Sequence, residues 1–395
     1  MSVRYKTICM FLTPFLVCAR SMTSVRIAFT MDYMEQALKL ARLALGEVSP
    51  NPAVGALIVC GEDIVGEGFT QPPGEDHAEI VALKQAGEKS RGSTMYVTLE
   101  PCCHFGRTPP CTKAIIAAGI RAVHIATLDD NPRVFGCGKG ELEDSGIEVH
   151  IGEHRDEARE LNEAYFKYIN TGMPFVTAKY SMSIDGKIAT RTLDSKWISN
   201  EDSRSFSHTL RHASDAIMAG VGTILADNPR LTARGCAGRG GTSHKQPMRV
   251  IVDSNGRTPL DACIFAEPGK TLMALGNTVP EGRLEGYRKM GAEVVQLPGR
   301  DNRVSLQSLL KFLGERQVTS ILVEGGGTLF GSLFDEGLVD KVVAIIAPMI
   351  IGGSGAKTPV AGIGVEKISQ ALQLENVRIT QFGDDTVISG YVVKE

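Results

Sequence analysis

Four residues in the first third of the chain are of the types, and at the spacing, to do chemistry together. His77 and Glu79 stand in His77-Ala78-Glu79. Cys102 and Cys111 stand in Glu100-Pro101-Cys102-Cys103-His104-Phe105-Gly106-Arg107-Thr108-Pro109-Pro110-Cys111. Catalytic zinc takes three protein ligands and keeps its fourth position for water. His77, Cys102 and Cys111 supply three ligands. Glu79, two residues beyond His77, lies near such an ion without binding it and is placed to move protons. Zinc lowers the pKa of its water, so the set amounts to a hydrolytic centre with a built-in proton shuttle. Cys103 and His104 are rival ligands beside Cys102. Cys103 has the weaker claim, because a residue one step along points elsewhere.

Elements must hold these side chains in place. Met34, Ala37, Leu38, Ala41 and Leu45 recur at helical spacing up to Gly46. Val54 to Cys60 reads as a buried strand, Gly61-Glu62-Asp63 as a turn, and Ile64 to Phe69 as the hairpin partner. Pro72-Pro73-Gly74 breaks the chain ahead of a helix over Ala78 to Ala86, which puts His77 and Glu79 in its first turn. Met95 to Leu99 is the next strand, ended by Glu100-Pro101. Pro110 fits the first helical position, where its missing N–H costs nothing, and the helix then runs Cys111 to Ala118 and stops at Gly119. Cys102 therefore leaves a strand end and Cys111 enters a helix start, where the dipole favours the metal-binding thiolate. Val123 to Thr127 and Gly146 to Val149 complete an alternation of strands and helices that argues α/β. In that class, sites gather at strand ends and helix starts. His-x-Glu followed by Pro-Cys and a second Cys is the pattern of zinc deaminases acting on nucleobases, here with a longer step between the cysteines.

The second half carries a different signal. Strands are expected at Phe175 to Tyr180, Ala216 to Val221, Arg249 to Val252, Thr271 to Leu275, Ala292 to Leu297, Ser320 to Val323 and Lys341 to Ala347. Asp185-Gly186 marks a turn. Ser199 as N-cap with Asp202 three residues on predicts a capping box for a helix through Leu210 and Arg211. In Val323-Glu324-Gly325-Gly326-Gly327-Thr328-Leu329-Phe330-Gly331, a strand ends, three glycines follow and a helix starts near Thr328. Backbone N–H groups there could cradle a pyrophosphate. The run does not match G-x-G-x-x-G, so no Rossmann domain is inferred, and glycine-rich turns after strands are common without a ligand.

At 395 residues the chain exceeds the roughly 250–300 at which single cores stop growing. We expect a zinc-dependent unit over 31–152, a linker helix within 153–173, and a second unit over 174–395. In the linker, Arg155 to Tyr168 sets Leu161, Ala164, Tyr165 and Tyr168 on one face. A net charge of −3 without a basic run gives no reason to expect nucleic acid. Nine scattered cysteines fit a reducing compartment, not a disulfide scaffold. The apolar run Ile8 to Cys18 has the length of a signal h-region and is too short to span a membrane, but no Ala-x-Ala site follows. Residues 1–30 are read as a disordered tail or an overextended start, with Met31 as the expected biological start.

Taken together, PNPAVGA (50–56), HAE (77–79), VTLEPCCHFGRTPPC (97–111) and DDNP (129–132) resemble the bifunctional riboflavin-biosynthesis deaminase/reductase family, in which the long cysteine step is normal. FVTAKYSMSIDGKIAT, DSKWIS, GVGTILADNPRLTAR and VEGGGTLFG extend the resemblance over Met31 to Val393. It implies an α/β chain: a cytidine-deaminase-like three-layer domain, then a dihydrofolate-reductase-like domain using NADPH. It implies one Zn2+ per chain on His77, Cys102 and Cys111, with Glu79 catalytic. Substrate contacts would come from Asn51, Ser195, Arg211, Leu231, Arg234 and Glu324. Dinucleotide contacts would come from Met182, Trp197, Thr223, Asp227, Ser254, Gly326, Gly327, Thr328, Leu329, Phe330 and Gly331. Arg211 and Arg234 suit a phosphate. Trp197, the only tryptophan, would without the resemblance be read as a core or interface aromatic. The partner expected is a phosphoribosylaminopyrimidine, with no nucleic acid or membrane, in a cytoplasmic homo-oligomer. Two departures bear on the pocket: Thr70 stands where a histidine is common, and Asp130 where the family's Asp-Pro-Asn-Pro has proline. The rival readings are a tRNA-type base deaminase with an accessory domain, and a non-catalytic zinc module. The acidic net charge counts against the first and an intact Glu79 against the second.

Overall fold

The computed structural model describes residues 31–106, 108–235 and 245–394; the expected tail or start at 1–30 lies outside them. Tyr33 to Glu395 forms one compact unit. Its first sheet has five strands in the order β2-β1-β3-β4-β5. In chain order the elements are α1 (Tyr33–Arg42), β1 (Gly55–Cys60), β2 (Asp63–Phe69), α2 (Ala78–Ala86), β3 (Thr94–Val97), α3 (Cys111–Ala118), β4 (Ala122–Ile125), α4 (Cys137–Asp144) and β5 (Glu148–Ile151). The two-residue side-chain period of a strand divides β1 between two cores. Ala56 and Ile58 face α2 and α3 with Ala78, Ala82, Met95 and Ile115, while Leu57 faces α1 with Met34, Ala37 and Leu38. The result is a helix–sheet–helix stack.

Glycines set the position of α2. A Cβ on Gly68 would meet the Ala78 carbonyl oxygen at 2.2 Å, and one on Gly66 would meet that of Ala82 at 2.3 Å. Only bare backbone lets α2 lie this close to β2, and α2 is the helix that carries Glu79.

Where one linker helix was expected there are two, α5 (Arg155–Leu161) and α6 (Glu163–Thr171). The break falls at Asn162, whose Oδ1 accepts from Ala53 N at 2.8 Å and whose Nδ2 donates to Ala53 O at 2.9 Å. A buried amide spent on another segment's backbone fixes the kink. It also ties the turn at 50–53 to the linker.

The second sheet has nine strands, in the order β10-β9-β8-β7-β11-β6-β12-β14-β13. Its elements are β6 (Phe175–Ser183), α7 (Glu201–Ala213), β7 (Ala216–Gly220), α8 (Val221–Asp227), β8 (Met248–Asp253), α9 (Cys263–Ala266), β9 (Thr271–Leu275), α10 (Glu281–Lys289), β10 (Glu293–Gln296), α11 (Leu306–Glu315), β11 (Ser320–Val323), α12 (Gly327–Asp335), β12 (Lys341–Ala347), β13 (Leu374–Phe382) and β14 (Asp385–Val392). The seven strands from β10 to β12 are mutually parallel. β14 and β13 close the edge antiparallel. One face packs on α11 and α12 through Leu309, Leu313, Phe330 and Leu333. The other packs on α10 through Leu284 and Tyr287. The predicted capping box at Ser199 is not formed. Asn200 is the N-cap of α7, its side chain accepting from Ser203 N at 2.9 Å, so the helix begins a residue later than the sequence pattern placed it.

Candidate active sites

His77 caps the N-terminus of α2 in extended conformation, one residue outside the first turn expected for it. Glu79 lies inside that turn, 4% exposed. Cys102 follows the strand end at Glu100-Pro101, and Cys111 opens α3 behind Pro110. Nδ1 of His77 lies 3.7 Å from Cys102 Sγ and 3.3 Å from Cys111 Sγ. The three donor atoms fall within 4.8 Å of one another. Tetrahedral zinc, with bonds of about 2.0 Å to nitrogen and 2.3 Å to sulfur, needs nitrogen–sulfur separations of about 3.5 Å, so this donor set fits that ion. Cys103 turns away, its thiol donating to Arg133 O at 3.7 Å. His104 lines the cavity but is not among the three converging donors.

Electrostatics distinguish the two sulfurs. The Cys111 thiol and backbone N–H, together with His77, stabilise the Cys102 thiolate and hold its pKa well below the ordinary value. The same sulfur–sulfur hydrogen bond, with burial, raises Cys111. Burial also pushes Glu79 up to about 6.

The site opens into a cavity of about 330 Å³, walled in part by Asn51, Thr70, Asp129, Asn131, Tyr165 and Gln317. The departures from the family pattern behave differently there. Thr70 does line the cavity, but its hydroxyl accepts from Val54 N at 3.1 Å. Asp130 does not line it; it holds Arg159 of α5 through contacts of 3.0 and 2.7 Å. Asp129 faces the cavity and accepts from Tyr165 Oη at 3.0 Å to each oxygen, and burial raises its pKa to about 6.

Several contributors were not singled out in the sequence. Thr108 Oγ1 lies 3.2 Å from His77 Nε2, the nitrogen facing away from the sulfurs. Glu100 accepts from the backbone N–H groups of Asp129, Gly136 and Lys139 and so shapes the far wall. Tyr168 and Ile169 of α6 also line the cavity. The helical stripe containing Tyr165 and Tyr168 was visible, but nothing local showed that it faces the zinc-type site.

In the second sheet the candidates gather at the carboxyl ends of the neighbouring strands β8, β7, β11 and β6, where α/β sheets bind ligands. Glu324 follows β11 and receives Arg211 as a fork, Nε at 2.7 Å and Nη2 at 2.6 Å. Burial would raise the Glu324 pKa, but Arg211 and the nearby Lys179 outweigh it and hold the carboxyl at about 2. Burial lowers that of Lys179. Gly325 and Gly326 carry φ of 157° and 70°. A Cβ on Gly325 would meet Thr223 Oγ1 at 2.6 Å, so side-chain-free backbone is required where α8 approaches the turn. Thr223 and Asp227 lie within α8, and Ser195 Oγ donates to Asp227 Oδ1 at 2.8 Å. Ser254, just past β8, accepts from Val304 N at 3.1 Å. Met182 lies near the end of β6. Trp197 is 68% exposed with the Arg204 guanidinium 4.8 Å from its ring centroid, which excludes a core role. Leu231, Leu329 and Phe330 have their side chains in the hydrophobic cores, leaving backbone for any ligand contact. A Cβ on Gly331 would meet Ala361 O at 2.4 Å, so that glycine serves close packing against the loop at 361. Gly327 and Thr328 open α12. Arg234 is exposed.

This combination defines a class: a deaminase unit with a zinc-type donor set, followed by a reductase unit. Two family models match. One, described as cytidine and deoxycytidylate deaminase zinc-binding region, covers residues 6–127, and so begins ahead of Met31. The other, described as RibD C-terminal domain, covers 174–388. The riboflavin biosynthesis protein RibD of Actinobacillus pleuropneumoniae is 43% identical over 365 residues, 92% of this chain and 95% of that protein. The Escherichia coli protein of the same description is 39% identical over 366 residues, 90% and 97%. Among solved structures, RibD of Acinetobacter baumannii superimposes with TM-score 0.81 at 35% identity over 92% of this chain and 98% of that one. A Thermotoga maritima diaminohydroxyphosphoribosylaminopyrimidine deaminase/5-amino-6-(5-phosphoribosylamino)uracil reductase gives 0.78 at 33%, over 91% and 98%.

The chain belongs to the bifunctional deaminase/reductase family of riboflavin biosynthesis. It is an enzyme with a hydrolytic deaminase half and an oxidoreductase half, and the α/β class expected from the sequence holds for both.

Proposed function

We propose that the first half hydrolytically removes the 2-amino group of 2,5-diamino-6-(5-phosphoribosylamino)pyrimidin-4-one, and that the second half reduces the ribosyl group of the resulting uracil to ribityl with NADPH. The observation that carries the reading is the convergence of His77 Nδ1 and the sulfurs of Cys102 and Cys111 beside buried Glu79 in one cavity. It is tested by following ammonia release and NADPH oxidation separately on that substrate.

In this reading one zinc per chain is held by His77, Cys102 and Cys111, where it supplies the Lewis acidity that makes water nucleophilic at neutral pH. Glu79 accepts a proton from the attacking water and passes it to the ring nitrogen, then relays the remaining hydroxyl proton to the amino group, which departs as ammonia while the ring carbonyl forms. Thr108 accepts from His77 Nε2–H, which leaves Nδ1 as the free donor and orients the ring. Asn51, on the turn tied down by Asn162, contacts the pyrimidine.

For the reductase half, NADPH supplies hydride to C1′ of the sugar, and the chain's part is to position the two reactants. Met182, Trp197, Thr223, Asp227, Ser254 and the backbone from Gly326 to Gly331 are assigned to the dinucleotide. Ser195, Arg211, Leu231, Arg234 and Glu324 are assigned to the substrate. Arg211 holds Glu324 through its fork, and Arg234, a solvent-exposed guanidinium, is assigned to the ribose phosphate, an oxyanion that guanidinium binds bidentately. Arg234→Ala is then expected to raise the KM for the deaminated pyrimidine about 10–100-fold, the worth of a charge-assisted contact, with NADPH affinity unchanged. Weaker NADPH binding and a reduced preference over NADH would instead assign Arg234 to the cofactor's 2′-phosphate.

We also infer a cytoplasmic homo-oligomer. The described cysteines are all free thiols, and among the described residues no helix is long and apolar enough to cross a membrane. The edge strand β13 is exposed along almost its whole length and shows Val377 and Ile379 to solvent. An open apolar edge of this kind is what a second copy covers.

A further inference from the structure

Among the described residues that line the deaminase cavity, one comes from the reductase half: Gln317, in the turn between α11 and β11. We propose that Gln317 is a substrate-positioning residue of the deamination step, its amide holding the sugar-phosphate arm while the pyrimidine reaches Glu79. This rests on the substrate reading given above.

The turn is fixed to the cavity from both sides. On one side Tyr168 Oη, itself in the cavity wall, donates to Gly314 O at 3.2 Å. Gly314 also sits so tightly on the linker that a Cβ there would meet Gly172 O at 2.0 Å. On the other side Asp215 Oδ2 accepts from Thr319 N and Thr319 Oγ1, each at 2.8 Å, and from Ser49 Oγ at 2.7 Å. Ser49 directly precedes the Pro50-Asn51-Pro52 turn that lines the same cavity. Gln317 is thus held where it can act on a ligand in the cavity.

Its backbone makes the side chain conspicuous. Gln317 follows the C-cap of α11 with φ of 62° and donates its N–H to Gly314 O at 2.9 Å. That is a left-handed helix end, where glycine is the usual residue. A chain needing only the turn would be served better by glycine. Gln317 is exposed, which places it towards the mouth, whereas Glu79 and Cys111 are buried. A substrate whose ring reaches Glu79 therefore leaves its arm beside Gln317. An amide offers N–H donors to hydroxyl or phosphate oxygens.

The test uses the full-length zinc-loaded enzyme and two variants. Gln317→Gly relieves the backbone while removing the amide. Gln317→Glu keeps the shape but sets a negative charge against the arm. The expected result for Gln317→Gly is a thermal midpoint no lower than wild type and a KM for deamination raised about 3–10-fold, the worth of a neutral hydrogen bond, with kcat little changed. Gln317→Glu should raise that KM further. In both, KM for reduction of pre-deaminated substrate should stay at the wild-type value. Unchanged deamination KM in both variants, with wild type active, would overturn the proposal and leave Gln317 a helix-end residue. Equal rises in the deamination and reduction constants would overturn it in favour of a shifted domain contact. A wild-type enzyme that releases no ammonia would instead overturn the substrate reading itself.

Discussion

Glu79→Gln is expected to keep zinc and fold while losing deamination by about 10²–10⁴-fold, the usual worth of a positioned acid–base group. The amide has nearly the same shape as the carboxylate, so the first turn of α2 and its close seat on Gly66 and Gly68 are preserved. What disappears is the ability to take a proton from water and give it back. No described carboxylate is placed to replace it: Asp129 is engaged by Tyr165 Oη and Asn131 N, and Glu100 by three backbone N–H groups. Reduction of pre-deaminated substrate should be untouched, because its candidate residues lie on the other sheet. Ammonia release by the mutant at the wild-type rate would remove Glu79 from the mechanism.

Zinc content should follow a graded series. Cys102→Ala removes the sulfur that most readily becomes thiolate and should leave the purified protein with little zinc and no measurable deamination. Thr108→Val keeps all three ligands but takes away the acceptor at His77 Nε2. Losing such a partner typically weakens metal binding about 10–100-fold, which chelator competition would read. Cys103→Ala should retain full zinc, since that thiol points to Arg133 O. Full zinc in Cys102→Ala, or loss in Cys103→Ala, would move the site one residue along the chain.

The zinc-type site was legible because its punctuation is local. Gly119 ends α3 as expected, with Pro110 as its N-cap one residue ahead of the first helical position expected for it, and the helix from Ala78 to Ala86 has the predicted ends. His77 moved only from first turn to cap. Features decided by distant partners were not legible. The linker breaks at Asn162 because Ala53 takes its side chain. Asp130 leaves the pocket because Arg159 holds it. Gln317 reaches the cavity only through the packing of a turn some two hundred residues further along the chain. The hairpin of β13 and β14 was missed for a related reason: β13 is exposed on both faces, so it lacks the alternation that marks a half-buried strand. On the second sheet, spacing located the glycine turn, but only the fold showed that Gly325 is packed against Thr223 and that Arg211 is already committed to Glu324.

The most direct test of the two-site account is one time course on the purified full-length enzyme, supplied with the diaminopyrimidinone and assayed for ammonia and for NADPH oxidation. Without NADPH, ammonia should be released to completion and the deaminated ribosylamino compound should accumulate. On adding NADPH, one equivalent should be oxidised per ammonia already released, with ribityl product replacing the accumulated compound. NADPH oxidation without prior ammonia release, or ammonia release that requires NADPH, would contradict two separate sites working in that order.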